Sequence, residues 1–200
     1  WSSDVCSSDL NFSIKSKLKS ESILIDYKSQ RIKKYFSHFK NQIKFSNSHL
    51  NLDYKNKKFK LNLKSKYSIN NINENMSLKV EEKNNNYFFD LDLDLDSAEI
   101  DIEELDYQKK ADIKSELNLN GIYKDNNEIF FKNINFNEEE KSIIVENLEI
   151  GKNDKIKSLD LFKIDIISKN EKENKLEFKK VNNNYYLTGS QFDGSKNIKN

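Results

Sequence analysis

A run of four aspartates alternating with three leucines, DLDLDLD at residues 90–96, sits inside the longer stretch YFFDLDLDLDSAEIDIEEL. Successive side chains of a β-strand point to opposite faces. This spacing therefore puts Leu91, Leu93 and Leu95 on one face and Asp90, Asp92, Asp94 and Asp96 on the other. A calcium loop is the competing reading. It needs a turning backbone that converges its oxygens on one point, with Gly at position six and Glu at position twelve. Counted from Asp90, those positions hold Leu95 and Asp101. Aspartates two apart in an extended strand are separated by about 6.5–7 Å along the axis and cannot share one ion. The run reads as a strand with one wet and one apolar face. Like charges in register would repel, so Lys or Asn is expected opposite the aspartates.

The same period of two recurs along the chain. It runs through Phe12, Ile14 and Leu18; Ile23, Ile25 and Tyr27; Leu50, Leu52 and Tyr54; Phe59, Leu61, Leu63 and Tyr67; and Met76, Leu78 and Val80. After Tyr87 and Phe89 it continues through Leu117 and Leu119, Ile134 and Phe136, Leu159 and Leu161 before Ile164 and Ile166, then Leu176 and Phe178 before Tyr185 and Leu187. Clusters such as NNINEN, KNNN, KDNN, GKND and KNEKEN separate these runs. Asn and Asp tolerate the left-handed conformation and bond their own backbone, which suits tight turns. The expected fold is all-β, a long curved antiparallel meander of about a dozen strands of ordinary length, forming an open groove. One stretch departs from it. In QRIKKYFSHFKN, Ile32, Tyr35, Phe36 and Phe39 recur at helical spacing and predict one short amphipathic helix near 30–40 that packs on the sheet. SAEIDIEELDYQKKAD reads as a loop or excursion between strands.

Composition narrows the function classes. Basic and acidic residues nearly cancel, 34 against 33, so no overall basic excess points to nucleic acid or to an anionic membrane surface. Aromatic residues make up 12% of the chain and are periodically placed, which opposes disorder. No apolar run reaches the roughly 20 residues of a membrane-spanning helix. Read back into codons, WSSDVCSSDL at residues 1–10 matches the translated end of a sequencing-library adapter. It is expected to be an artefact, which leaves residues 11–200 as one segment of sheet and Cys6 without meaning. The histidines, His38 and His49, stand outside any ligand spacing, so no metal site is expected. No nucleophile-elbow, phosphate-loop or dinucleotide motif occurs, and the acid-rich EIDIEEL and NEEEK read as solvated faces; neither an enzyme nor a cofactor is expected.

A sheet with one apolar face needs cover, and a single short helix supplies little. Apolar surface left in water costs on the order of 25 cal/mol per Å². Large exposed apolar faces mark binding. The candidate ligand-facing residues are Leu61, Leu63, Leu91, Leu93, Leu95, Leu117, Leu119, Ile134 and Phe136, provided that they share a face.

From Phe88 onward, FDLDLDLDSAEIDIEELDYQKKADIKSEL resembles a segment of AsmA-like proteins, of the YhdP-type branch that carries DUF3971 and AsmA-like C-terminal regions. Asp96 and Ala98 match that branch's turn, and Ile100, Ile102 and Leu105 its alternating piece. Tyr107 stands at its aromatic position and Lys109 at its lysine, while Asp106 replaces its glycine. Gly189, Phe192, Asp193 and Gly194 in YYLTGSQFDGSKNI match its closing motif. The resemblance covers residues 88–198, about half of the chain. It implies a long curved sheet with an apolar floor that takes phospholipid acyl chains as its partner, in a periplasmic protein held by an inner-membrane anchor outside this segment. It further implies a part in phospholipid transfer or outer-membrane assembly. The alternative is a surface adhesin or structural β-protein whose apolar face closes into a sandwich or barrel core.

Overall fold

The computed structural model describes residues 13–36, 39–55, 58–69, 72–152 and 155–191. The expectations for residues 1–10, Phe12, His38, Phe192, Asp193 and Gly194 lie outside them. The chain forms β1 (Ser13–Asp26), α1 (Gln30–Tyr35), β2 (Gln42–Lys55), β3 (Lys58–Ser68), β4 (Glu74–Lys83), β5 (Asn86–Asp94), β6 (Ile100–Ile102) and β7 (Tyr107–Lys109). It continues with β8 (Ser115–Tyr123), β9 (Ile129–Glu138), β10 (Lys141–Ile150), β11 (Ile156–Ser158), β12 (Leu161–Ile167), β13 (Glu173–Val181) and β14 (Asn184–Gln191). Twelve strands make one antiparallel sheet in the order β1-β2-β3-β4-β5-β8-β9-β10-β12-β13-β14, with β11 added to β10. The two ends do not pair, so the sheet is open and not a barrel. The closed barrel of the alternative reading is absent from the described residues.

Turn chemistry sets the hairpins. Asn84 and Asn85 both take positive φ, 53° and 60°, as the two central residues of a tight hairpin must. Asn127 and Asn182 do the same in the β8–β9 and β13–β14 turns, at 63° and 56°. These turns, with those after β2 and β10, line one edge of the sheet, the turn rim. The opposite edge carries the longer connections, residues 27–41, 69–73, 95–114 and 168–172, together with the short β9–β10 turn at 139–140.

Register confirms the two-faced strand. On the polar face Asp90 stands between Lys79 and Asn120, and Asp92 between Ser77 and Asn118. Lys79 Nζ lies 3.3 Å from Asp90, and Asn118 Nδ2 donates to Asp92 at 2.9 Å. Asp94 departs from the expected Lys or Asn partner on one side. It faces Glu116, and Asn75 Nδ2 offsets the repulsion by donating to Asp94 Oδ2 at 2.7 Å. On β12 the apolar face is Phe162, Ile164 and Ile166, since Leu161 pairs with Glu146 on the other side.

Helix α1 is shorter than the spacing predicts. Ser29 Oγ caps it by accepting from Ile32 N at 3.2 Å, but it ends at Tyr35. Phe36 turns extended and forms an antiparallel bridge with Ile100. Phe39 is buried in the core while Tyr35 stays at the surface, so the four residues do not share one covered face.

Gly121 on β8 lies where its neighbours leave no room. A Cβ there would meet the Phe130 carbonyl oxygen and the Phe89 ring. The missing side chain lets Phe89 and Phe131 meet edge to face, 5.8 Å between centroids, across β8. Gly121→Val is expected to cost about 1–3 kcal/mol through overpacking, read as a lowered urea midpoint.

Candidate functional site

Cross-strand register joins the apolar positions into rows. One row passes Leu18, Leu50, Leu63, Leu78, Leu91 and Leu119, then Ile134, Val145, Phe162, Phe178 and Leu187. It crosses every strand of the main path and, at the usual strand spacing, spans about 50 Å. Leu52, Leu61, Val80, Phe89 and Gly121 form a second row toward the turn rim. Met76, Leu93, Leu117, Phe136, Ile143 and Ile164 form a third on the other side. Leu61, Leu63, Leu91, Leu93, Leu117, Leu119, Ile134 and Phe136 therefore share one face. Leu95 lies just past the end of β5 and joins the core beside that face.

The face is not uniformly open. Residues 95–114 fold back over its end opposite the turn rim and roof it. Their apolar side chains, Leu95, Ala98, Ile100 and Tyr107, form one buried cluster with Tyr67, Phe136, Ile143, Ile164 and Ile166 of the sheet. Phe36 packs against the same cluster. Leu95 and Phe136 are thus covered by protein, at 2% and 7% exposure, and Leu93 and Leu117 pack against the covered patch. Of the nine candidate residues, Leu61, Leu63, Leu91, Leu119 and Ile134 are the ones on the unroofed part. They are half-buried, as side chains on a one-sided sheet are.

Polar anchors hold the roof down. The Lys109 side chain is wholly buried, and its Nζ donates to the carbonyls of Asp96 and Ala98 at 2.9 Å each and of Lys110 at 3.0 Å. Three carbonyl oxygens use all three of its donors. Burial pushes this ammonium below the usual lysine range, opposed by the carboxylates of Glu74, Asp96, Asp112 and Glu99. Asp96 Oδ1 accepts from Ser115 N at 2.7 Å and closes the neck of the excursion. Tyr107 packs edge to face on Phe136 with 6.1 Å between centroids, and its hydroxyl donates to the buried carboxylate of Glu138, which Lys141 also holds at 2.6 Å. The Tyr67 hydroxyl donates to Asp94 O at 2.5 Å and lies 3.3 Å from Glu74 Oε2. Desolvation first, then the Glu74 charge, raises its phenol far above the ordinary range. Glu74 in turn accepts the Ser97 N–H. At the far side Lys169 Nζ binds Asp101 at 2.6 and 2.7 Å, and Lys34 of α1 pairs with Glu104.

Four residues that the sequence singles out for resemblance, Asp96, Ala98, Tyr107 and Lys109, thus meet in this one anchor. Asp106 takes φ of 51°. Aspartate is among the few residues that occupy this left-handed region readily. Among the described residues no cluster of His, Cys, Asp or Glu could hold a metal ion, and His49 only meets the Asn47 carbonyl at 3.1 Å. Among the described residues no helix is long and apolar enough to cross a membrane. Compared with known protein families, curated proteins and solved structures, the chain gives no match.

Removing the buried ammonium should free the roof before it unfolds the sheet. Lys109→Met is expected to lose about 2–3 kcal/mol of local stability, since three buried carbonyls lose a charged donor. Hydrogen exchange should rise in residues 95–109 while the strands β3 and β4 keep their protection.

Proposed function

We propose that this chain is a segment of an AsmA/YhdP-like envelope protein that carries phospholipid acyl chains on its open sheet face. On this reading it works in the periplasm, anchored to the inner membrane by a part outside the segment, and serves phospholipid transfer or outer-membrane assembly. The work is non-enzymatic. A carrier of this kind needs a continuous apolar strip for acyl chains and a wet outer surface, and no reacting groups.

The observation that carries the reading is the unbroken apolar row from Leu18 to Leu187. A protein that had only to build a core would gather such side chains under its own roof. Here the roof of residues 95–114 covers one side, and the leucines at 63, 78, 91 and 119 stay half-buried. A strip about 50 Å long is far more than one small ligand needs and suits chains lying side by side. The polar face, with Asp90, Asp92, Lys79 and Asn118 paired to one another, keeps the reverse of the sheet in water.

Mass spectrometry of lipid extracted from the purified chain tests this. Phospholipid should co-purify, and Leu91→Asp, which puts a charge in the middle of the strip, should lower it by about tenfold or more, equivalent to about 1.4 kcal/mol. Asp90→Asn on the opposite face should leave it unchanged. Equal lipid in all three proteins, with circular dichroism showing the same strand content, would overturn the reading.

A further inference from the structure

The overall balance of charge divides unevenly along the chain. Residues 11–87 hold 17 basic and 6 acidic residues, and residues 88–200 hold 17 and 25. Register gathers the first excess on one side of the sheet. On β1–β4 the polar face presents eleven lysines: Lys58, Lys60, Lys64 and Lys66 on β3, Lys15, Lys17 and Lys19 on β1, and two each on β2 and β4. All eleven are exposed. At most four carboxylates of these strands share that face, Glu21, Asp26, Asp53 and Glu81. We propose that this basic half of the polar face docks on an anionic lipid bilayer surface. The proposal is independent of the acyl-chain reading, which concerns the other face of the sheet.

The lysines lie in cross-strand rows. One row runs through Lys19, His49 and Lys64, and another through Lys17, Asn51, Asn62 and Lys79. Lys55 and Lys58 stand directly opposite one another where the β2–β3 hairpin closes. At the usual strand dimensions the patch measures about 15 Å across the four strands and about 27 Å from Lys58 to Lys66. Neutralisation within it is sparse. Glu81 holds Lys60 and Lys83 at 2.8 and 3.0 Å, Asp90 holds Lys79 at 3.3 Å, and Asp53 lies 3.9 Å from Lys15. Lys17, Lys19, Lys64 and Lys66 form no ion pair among the described residues. Like charges on neighbouring strands repel, and a layer of negative charge laid against them relieves this. Each lysine brought to an anionic lipid surface strengthens binding by about fivefold.

Three features select a bilayer over other anionic partners. The patch is built from lysine, and Arg31, the sole arginine of the chain, lies on α1. The arginine fork suits bidentate recognition of one phosphate or one base, whereas lysine is a point charge that suits a diffuse anionic layer. Rings on which bases could stack are missing from the polar face of β1–β4 among the described residues, since Phe45, Tyr54, Phe59 and Tyr67 face the apolar side. A second copy of the chain is also a poor fit. The carboxylates beside the patch, Asp90, Asp92 and Asp94 on β5, already take Lys79, Asn118 and Asn75 as partners. β5 and β8 carry no lysine at all, so the basic area has a sharp boundary and the sheet would lie on a bilayer by its β1 side.

Co-sedimentation of the purified chain with vesicles tests this. Vesicles of phosphatidylglycerol and phosphatidylcholine in equal parts should carry the chain down, and vesicles of phosphatidylcholine alone should not. Salt at about 1 M, where the screening length falls to about 3 Å, should release it. The variant Lys17→Gln, Lys19→Gln, Lys64→Gln, Lys66→Gln should bind at least about tenfold more weakly, with strand content unchanged by circular dichroism. Removing as many charges elsewhere, as Lys152→Gln, Lys155→Gln, Lys163→Gln, Lys179→Gln, should leave binding unchanged, and so should Leu91→Asp on the other face. Binding that Leu91→Asp abolishes, or that is equal on both kinds of vesicle and survives salt, would assign the attachment to the apolar face and overturn the proposal. Equal weakening by the two fourfold variants would overturn it in favour of net charge. No vesicle binding, with an oligonucleotide complex or a dimer that the first variant abolishes, would overturn it in favour of those partners. None of these outcomes bears on the phospholipid that co-purifies with the chain, which tests the acyl-chain reading separately.

Discussion

The structure depends on register. Eleven strands each contribute an apolar side chain to one continuous row, and a slip of a single residue at any one hairpin would turn that strand's leucines into water. The irregularities show how tightly the row is kept. At Asn47, with φ of 51°, β2 inserts an extra residue against β3, and Ser48 then meets Ser65 through a buried 2.8 Å hydroxyl contact. Between Asn120 and Gly121 the pairing with β9 shifts again, and Phe131 is brought back beside Phe89. Both irregularities restore apolar neighbours on one side instead of scattering them.

Much of this was legible in the letters. Period-two alternation from Leu50 to Leu187 and Asn-rich turns such as Asn84–Asn85 predict an antiparallel meander, and Lys79, Asn118 and Asn120 are partners of the kind that the aspartates require. The excursion after β5 was legible as a break between strands, but its folding back as a roof was not. Residues 95–114 alternate apolar side chains with carboxylates much as a strand would, and nothing local says that Ile100 and Tyr107 fold back onto Phe136. That contact depends on a lysine, Lys109, whose burial no propensity scale anticipates; its neighbours in space, the carbonyls of Asp96 and Ala98, lie 11 and more residues earlier. The helix was overextended for a related reason. Spacing alone groups Ile32, Tyr35, Phe36 and Phe39, but the bridge from Phe36 to Ile100 outcompetes another helical turn.

The roof also makes the two edges of the sheet chemically unlike. One edge is roofed by residues 95–114 and held by buried polar anchors. The other ends in short asparagine turns flanked by lysines and tyrosines. A face bounded in this way has an inside end and an outside end.

The order of strands in the sheet follows the order of the chain, interrupted only by the excursion between β5 and β8 and by β11. Each strand therefore borrows its support from its immediate neighbours, as units do in a linear array. Such an array would ordinarily peel from its ends inward. The buried cluster changes this by tying Tyr67 on β3 to Ile166 on β12, across the middle of the sheet, through side chains that belong to neither. The centre is thereby made to melt as a block, while β1 and β14, whose residues are mostly in solvent, remain free to zip and unzip on their own.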